Sequence, residues 1–160
     1  MSRKYFAVNF GTREWFREAA VREIDVANSP PNKEPKMQGM REGDPVLILT
    51  FGKRTFIGEF AFKEAMEVHY EKFERDYKQQ NRVLETSHAP FPAPGDKCWI
   101  MVFDNVKSYR KEVSEKDIYD IPDLNKSQIH HIFKRIRGFS PLKREGYWEI
   151  REKIKEVGGF

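Results

Sequence analysis

The chain has one cysteine, Cys98, in 160 residues. A lone thiol forms no internal disulfide and, within one chain, no thiolate zinc site. No apolar run approaches the ~18 residues of a membrane span, and the start lacks the basic-then-apolar pattern of a secretory signal. A cytoplasmic protein without a membrane partner is therefore expected. There is no Gly-rich phosphate loop, no H-E-x-x-H and no nucleophile elbow. Histidines are few. His130 and His131 are adjacent, so on a helix they diverge by about 100° and cannot share a metal as an i, i+4 pair does. Cys98 alternates within an apolar strand and reads as an inert core residue. No catalytic centre, metal or cofactor is expected.

What is present suits a small folded domain. Hydrophobic residues make up 39% and aromatic ones 14%, so much of the core should be Phe, Tyr and Trp. Charged residues make up 34% with a net charge of +4, a mild push toward anionic partners. The length fits one domain over 1–160, and Gly158-Gly159 fits a linker to further chain.

The central feature is a hairpin between Arg41 and Val68. Gly43-Asp44-Pro45 turns into the apolar run Val46–Leu49, which reads as a strand buried on both faces. Phe51-Gly52-Lys53-Arg54 makes the connection, with Gly52 supplying positive φ. The return strand Thr55–Phe62 alternates, with Phe56, Gly58, Phe60 and Phe62 on one side and Thr55, Ile57, Glu59 and Ala61 on the other. Gly58 marks a bulge or a close backbone approach. The pattern suggests a small, closed β structure.

Around it, Lys4–Phe10 reads as a first strand and Thr12 as the N-cap of a helix to about Val21, with Trp15, Phe16, Ala19 and Ala20 on its apolar side. Ile24–Ala27 reads as a short second strand, followed by a long loop, Asn28–Pro35. Val68–Val83 is a surface helix or an ordered excursion. Pro90, Pro92 and Pro94 hold the chain extended before a strand, Lys97–Val106, with Trp99, Met101 and Phe103 on one face and an edge running on to Val113. A helix from Asn125 or Ser127 stops at Gly138, and Ser140-Pro141 then caps a last helix carrying Leu142, Tyr147, Ile150, Ile154 and Val157 inward.

The order of these motifs resembles the EVE domain of the PUA-like superfamily, which also contains the YTH domains. The resemblance rests on Tyr5-Phe6-Ala7-Val8-Asn9 with Trp15, on Gly43-Asp44-Pro45-Val46-Leu47-Ile48, on Ile57-Gly58-Glu59-Phe60 and on Arg137-Gly138-Phe139-Ser140-Pro141-Leu142. It spans nearly the whole chain. The chain is also similar to the N-terminal DNA-binding domains of archaeal McrB-type modification-dependent restriction proteins. One position departs: these families often have Trp or Gly just after the first helix, where this chain has Ile24-Asp25-Val26.

The resemblance implies an α+β, PUA-like small twisted β-barrel with flanking helices, and a reader rather than an enzyme. The expected ligand is N6-methyladenine in DNA, flipped into an aromatic pocket, in a restriction system that supplies further domains or partner subunits. Stacking on aromatic faces and hydrogen bonds to the base edge offset the few kcal/mol of unstacking. Candidate pocket residues are Asn9, Phe10, Trp15, Asp25, Asn28, Tyr70, Phe91 and Trp99. Plainer readings stand beside them. Trp15 and Trp99 keep the spacing of core residues, and Phe10 can be the last core residue of its strand. Asn9 can satisfy a turn, Asp25 can be a surface acid, and Asn28 a loop cap. Phe91 is either pinned into a groove or presented to a ligand.

From Lys126 to Arg144 there is no acid, while Lys126, Lys134, Arg135, Arg137, Lys143 and Arg144 occur. This stretch is the candidate phosphate footprint, or a solvated helix face. Lys53 and Arg54 at the hairpin tip and Arg82 are candidates for a groove. Two alternatives share the fold: a reader of modified RNA, which prefers single-stranded or A-form substrates, and a small ASCH-type hydrolase, which a Lys–Glu or Lys–Thr pair in the pocket would favour.

Overall fold

The computed structural model describes residues 3–10, 12–34, 39–50, 54–86, 89–119, 121, 127, 130 and 139–160, leaving aside the side chain of Asn9. Six strands form one mixed sheet in the order β2-β5-β4-β3-β1-β6. They are β1 (Tyr5–Asn9), β2 (Val26–Asn28), β3 (Pro45–Leu49), β4 (Phe56–His69), β5 (Lys97–Val113) and β6 (Phe139–Leu142). The helices that flank them are α1 (Arg13–Val21), α2 (Tyr70–Phe73), which runs into a π-helical turn at Glu74–Lys78, α3 (Glu115–Tyr119) and α4 (Arg144–Glu156). This is the expected α+β, PUA-like architecture with one correction. The described strands form an open sheet with β2 and β6 at its two ends, not a closed barrel.

The alternation of β1 and β3 explains the layering. Tyr5, Ala7, Leu47 and Leu49 point to one face, where they pack with Phe56, Tyr109 and the inner side of α4. Phe6, Val8, Val46 and Ile48 point to the other, where they meet Trp15, Phe16 and Ala19 of α1. β3 is central, between β4 and parallel β1, and its residues Val46–Leu49 are fully buried, as its two-sided apolar run predicts. A third cluster packs Phe73 and Tyr77 against Val68, Cys98 and Ile100. The stretch from Tyr70 to Lys78 is therefore an ordered helical excursion clamped by two aromatic anchors.

The long β4–β5 ribbon bends at three register shifts. Where Phe56 and Gly58 face Val113 and Ser108, β5 carries the extra residues. Against β3 the extra residue is Ile57 of β4, since Leu49 faces Phe56 and Ile48 faces Gly58. Phe56 therefore joins the α4 face while Ile57, Phe60 and Phe62 join the α1 face, which corrects the strict alternation expected of Thr55–Phe62. At the second shift Asn105 takes φ +52°, a conformation that Asn tolerates better than most residues. At the third, Lys63 is the extra residue of β4, because Phe62 faces Phe103 and Glu64 faces Val102.

β5 does not end near Val106. It continues to Val113 as one 17-residue strand, and past Val106 it pairs with β4 on one side only, because β2 covers just Ile100–Val102, so Val106–Val113 runs on as an edge as expected. Two further boundaries differ from the sequence reading. Ser140-Pro141 does not begin the last helix. It lies in β6, antiparallel to β1, with Pro141 opposite Phe6. A proline with no N–H fits a strand that has a neighbour on one side only. The second strand is Val26–Asn28 rather than Ile24–Ala27. The turn residues Phe51, Gly52 and Lys53 lie outside the described residues. The positive φ seen beside them belongs to Arg54, at +51°.

Candidate functional site

Helix α1 starts where Thr12 accepts a hydrogen bond from the Trp15 amide at 3.1 Å. This cap sets the phase that buries Trp15 and Phe16. The Trp15 indole N–H donates to the Leu84 carbonyl at 3.0 Å, and its ring meets Phe10 edge-on at 5.1 Å. Phe10 in turn approaches Phe60, which stacks on Phe103 at 4.5 Å. Phe10 and Trp15 are thus brought together as part of a continuous aromatic row on the α1 face. Asn9 closes β1 opposite Leu49.

Asp25 and Arg82 face each other as a two-pronged ion pair, with both N–H to carboxylate contacts at 3.0 Å. The bond to Asp25 raises the Arg82 pKa, and the guanidinium also lies over the Tyr77 ring at 5.1 Å. Arg82 therefore ties the π-helical turn to the start of β2. The Asn28 amide donates to the carbonyls of Ser29, Ala89 and Pro90 at 3.1–3.2 Å, which sews the end of β2 to the proline segment. Phe91 is pinned: its amide donates to Glu85 at 2.7 Å and its ring meets Phe73 edge-on at 5.2 Å. Tyr70 opens α2, and its amide donates to the Asp96 carbonyl.

Trp99 is placed differently. Its backbone is held by Ser29, whose hydroxyl accepts from the Trp99 amide at 3.0 Å. Its ring lines a cleft of about 390 Å³, within the ~300–1,000 Å³ of small-ligand sites. Among the described residues no other aromatic ring lies against it. Phe62 and Met40 add apolar wall, and Glu34, Arg41, Glu42, Lys63 and Glu64 add charge. The bulge at Lys63 and the turn at Gly43 shape this cleft. Gly43 takes φ +90°, and the buried Asp44 carboxylate accepts from the amides of Arg41 and Lys4, fixing the wall that carries Met40 to Glu42. This gives the Gly43-Asp44 motif a structural cause. Of the eight candidate pocket residues, Trp99 is the one that faces this cleft.

A second cleft, of about 470 Å³, opens between α4 and the starts of β1 and β3. Glu59 lies at its base, 8% exposed. It accepts two hydrogen bonds from Arg151 at 2.9 and 3.0 Å and one from the Tyr109 hydroxyl at 3.2 Å. The bond to Glu59 raises the Arg151 pKa, while burial raises those of Tyr109 and Tyr147, so both phenols are neutral at physiological pH. Glu59, Trp148 and Arg151 were not singled out from the sequence. Glu59 reads there as one more polar position on a strand, and Arg151 as one charge among many on a helix.

Of the basic candidates, Lys143 and Arg144 are exposed at the start of α4 and Arg54 is half-buried. Lys53, Lys126, Lys134, Arg135 and Arg137 lie outside the described residues. Cys98 is 1% exposed, and burial pushes its thiol up to about 11, with the charges of Asp96 and Glu67 adding to the effect. Iodoacetamide at pH 8 should leave native Cys98 unmodified while alkylating the urea-unfolded chain, since the thiolate is the nucleophile. Because the folded-state value is raised, the neutral thiol stabilises the fold below pH ~9, and that contribution is lost as pH rises toward 11. Fast native labelling at pH 8 would contradict this.

No protein-family model matches the chain, and no curated protein matches it by sequence. Solved structures do. The ASCH protein from Zymomonas mobilis superposes with a TM-score of 0.64 at 10% identity, over 94% of this chain and 96% of that one. A hypothetical protein from Leishmania major gives 0.52 at 9% identity over 98% of each chain. The N-terminal domain of Staphylothermus marinus McrB gives 0.48 at 11% identity, over 95% and 98%. At these identities the likeness to ASCH is one of fold, a PUA-like α+β domain. No helix among the described residues is long and apolar enough to cross a membrane.

Proposed function

We propose that the chain is a nucleic-acid-binding module that reads a modified base, with N6-methyladenine in DNA the favoured ligand and the Trp99 cleft its receptor. The observation that supports this most is the Trp99 ring itself, set in a cleft beside Phe62 and Met40 with no described ring stacked on it. A flipped base gains a stacking face there. Methylated adenine keeps one N6–H, which a carboxylate of Glu42 or Glu64 can accept. Its N1 accepts from a donor such as Arg41, and its methyl group meets apolar wall. The sequence resemblance to EVE domains points to the same class of ligand. Phosphates would be met by basic side chains at this cleft, such as Lys63. In a restriction system such a module would direct further domains or partner subunits to marked DNA.

The test is fluorescence anisotropy on matched duplexes, unmodified, N6-methyladenine and 5-methylcytosine, at two salt concentrations. The N6-methyladenine duplex should bind most tightly, and Trp99→Ala should weaken it about tenfold or more, in line with ~1–3 kcal/mol per stacked base. Equal affinity for methylated and unmethylated duplexes would sink the reading. A preference for single-stranded or A-form substrates would move it to RNA.

One observation favours a second reading. Lys63 shares the cleft with Glu34, Glu42 and Glu64, a lysine–carboxylate cluster of the kind a small hydrolase on this scaffold would use. Turnover of free modified nucleosides, abolished by Lys63→Met, would identify it.

A further inference from the structure

The second cleft lies on the α4 side of the sheet, whereas Trp99 lies on the side shared with Met101 and Phe103. It combines a presented aromatic ring with an excess of positive charge. Trp148 is 43% exposed, unusual for a Trp. Its plane is nonetheless fixed, because it meets Tyr5 at 6.2 Å and Tyr147 at 5.1 Å, both edge-on. Arg151 lies 5.8 Å from the ring centre. Arg3 stands at the mouth, where its guanidinium donates to the Gly43 carbonyl. The one carboxylate that lines the cleft, Glu59, is already engaged by Arg151 and Tyr109, so Arg3 is left uncompensated by the lining residues.

The sequence of α4 sorts its charges around this cleft. At about 100° per residue, Arg144, Trp148, Arg151 and Lys155 fall on one stripe, directly beside the apolar stripe of Tyr147, Ile150 and Ile154. Glu145, Glu149, Glu152 and Glu156 fall on the next stripe round, away from it, and the one remaining base, Lys153, lies beyond them and pairs with Glu156 at 3.6 Å. A helix that only needed solubility would gain by interleaving the two signs at i, i+4. This one sets base, aromatic, base along the edge of a cavity, and that is the pattern of surfaces that stack a base and hold its phosphate.

We propose that this cleft is a nucleotide site distinct from the Trp99 cleft. The base stacks on Trp148, the phosphate meets Arg3 at the mouth and Arg144, which stands one helical turn before Trp148 on the same stripe of α4, and Asn105, which lines the cleft, hydrogen-bonds the base edge or the sugar. The ligand is a phosphorylated nucleoside, either free or as one unit of a single strand.

Incorporating 5-fluorotryptophan gives separate fluorine signals for Trp15, Trp99 and Trp148, assigned with single Trp→Phe variants. Titration with adenosine 5′-monophosphate, a single-stranded adenine hexanucleotide, adenosine and inorganic phosphate should shift the Trp148 signal saturably with the first two. Arg3→Gln should weaken that shift about tenfold, and Arg144→Gln should weaken it less. Both positions are exposed, so these variants retain the fold. Tighter binding of the hexanucleotide would identify a strand as the source, and tighter binding of the mononucleotide a free nucleotide. A Trp148 signal that stays still with both at millimolar concentration overturns the proposal. So does one that moves equally with inorganic phosphate or with adenosine. The Trp99 signal reports the other cleft, so failure of one site is read separately from failure of the other.

Discussion

Replacing Gly58 with alanine is expected to destabilise the protein by about 3 kcal/mol or more, the upper part of the range for an overpacked core. A Cβ built at Gly58 lies 2.2 Å from Cε1 of Phe16 and 2.5 Å from the Lys107 carbonyl oxygen. Neither neighbour yields easily. Phe16 is 1% exposed in the α1 core, and Lys107 pairs with Glu59 across the ribbon. The extra methyl must push α1 off the sheet or open the β4–β5 ladder. At about 2–4 °C per kcal/mol for a chain of this size, the midpoint should fall by roughly 10 °C. Phe16→Leu in the same chain should restore part of the loss, because it relieves the ring but not the carbonyl. A midpoint unchanged by Gly58→Ala would mean that Phe16 does not sit over this strand. The same close approach accounts for a glycine in a buried strand, where it otherwise costs conformational entropy.

Gly58 also shows what a sequence discloses and what it withholds. A lone glycine in a strand announces a bulge or a close contact, and both are found. It does not announce that Ile57 is the residue bulged against β3, which turns Phe56 to the opposite face from Phe60, because that depends on the register with β3. Local signals served well elsewhere. The Thr12 cap, the face assignments of β1 and of Trp99, Met101 and Phe103, and the two-sided burial of Val46–Leu49 all follow from spacing within a few residues. Readings that depend on a distant partner went astray. Ser140-Pro141 has the local signature of a helix start, yet pairing with β1 makes it a strand. The open sheet likewise depends on strand order, which no local pattern encodes. For the site, alternation alone could not separate Trp15, whose N–H is met by Leu84, from Trp99, whose ring lines a cleft. Trp148 and Arg151 were legible in principle, since α4 puts Arg144, Trp148, Arg151 and Lys155 on one stripe and its four acids on the next. Only the cleft beside that helix gives the segregation a meaning.

The Glu59–Arg151–Tyr109 group should be the most strongly coupled set of side chains in the chain. Glu59 and Arg151 are 11% and 28% exposed at the side chain, too dry for the pair to behave as a surface salt bridge worth under about 1 kcal/mol. Removing one partner of a buried pair costs about 3–5 kcal/mol, because the other charge is left without compensation. Arg151 keeps some contact with water, so Arg151→Met should fall near 3 kcal/mol. Glu59→Leu removes the acceptor of three hydrogen bonds at once and should cost as much or more. Tyr109→Phe deletes one bond to a charged oxygen at 3.2 Å and should cost about 1–2 kcal/mol. The double variant Glu59→Leu/Arg151→Met buries no lone charge, so it should be less destabilised than the two single variants summed, by about 2 kcal/mol or more. Adding Tyr109→Phe should recover a little further stability, since the phenol has lost its acceptor. Urea melts of the set at pH 7 measure this directly. Additive single losses, within about 0.5 kcal/mol, would mean that water already satisfies Arg151 and that the pair is a surface feature. Strong coupling would establish that α4 is locked to β4 through its charge. The lock sets the place of Trp148, because one turn of helix separates that ring from the guanidinium that Glu59 holds.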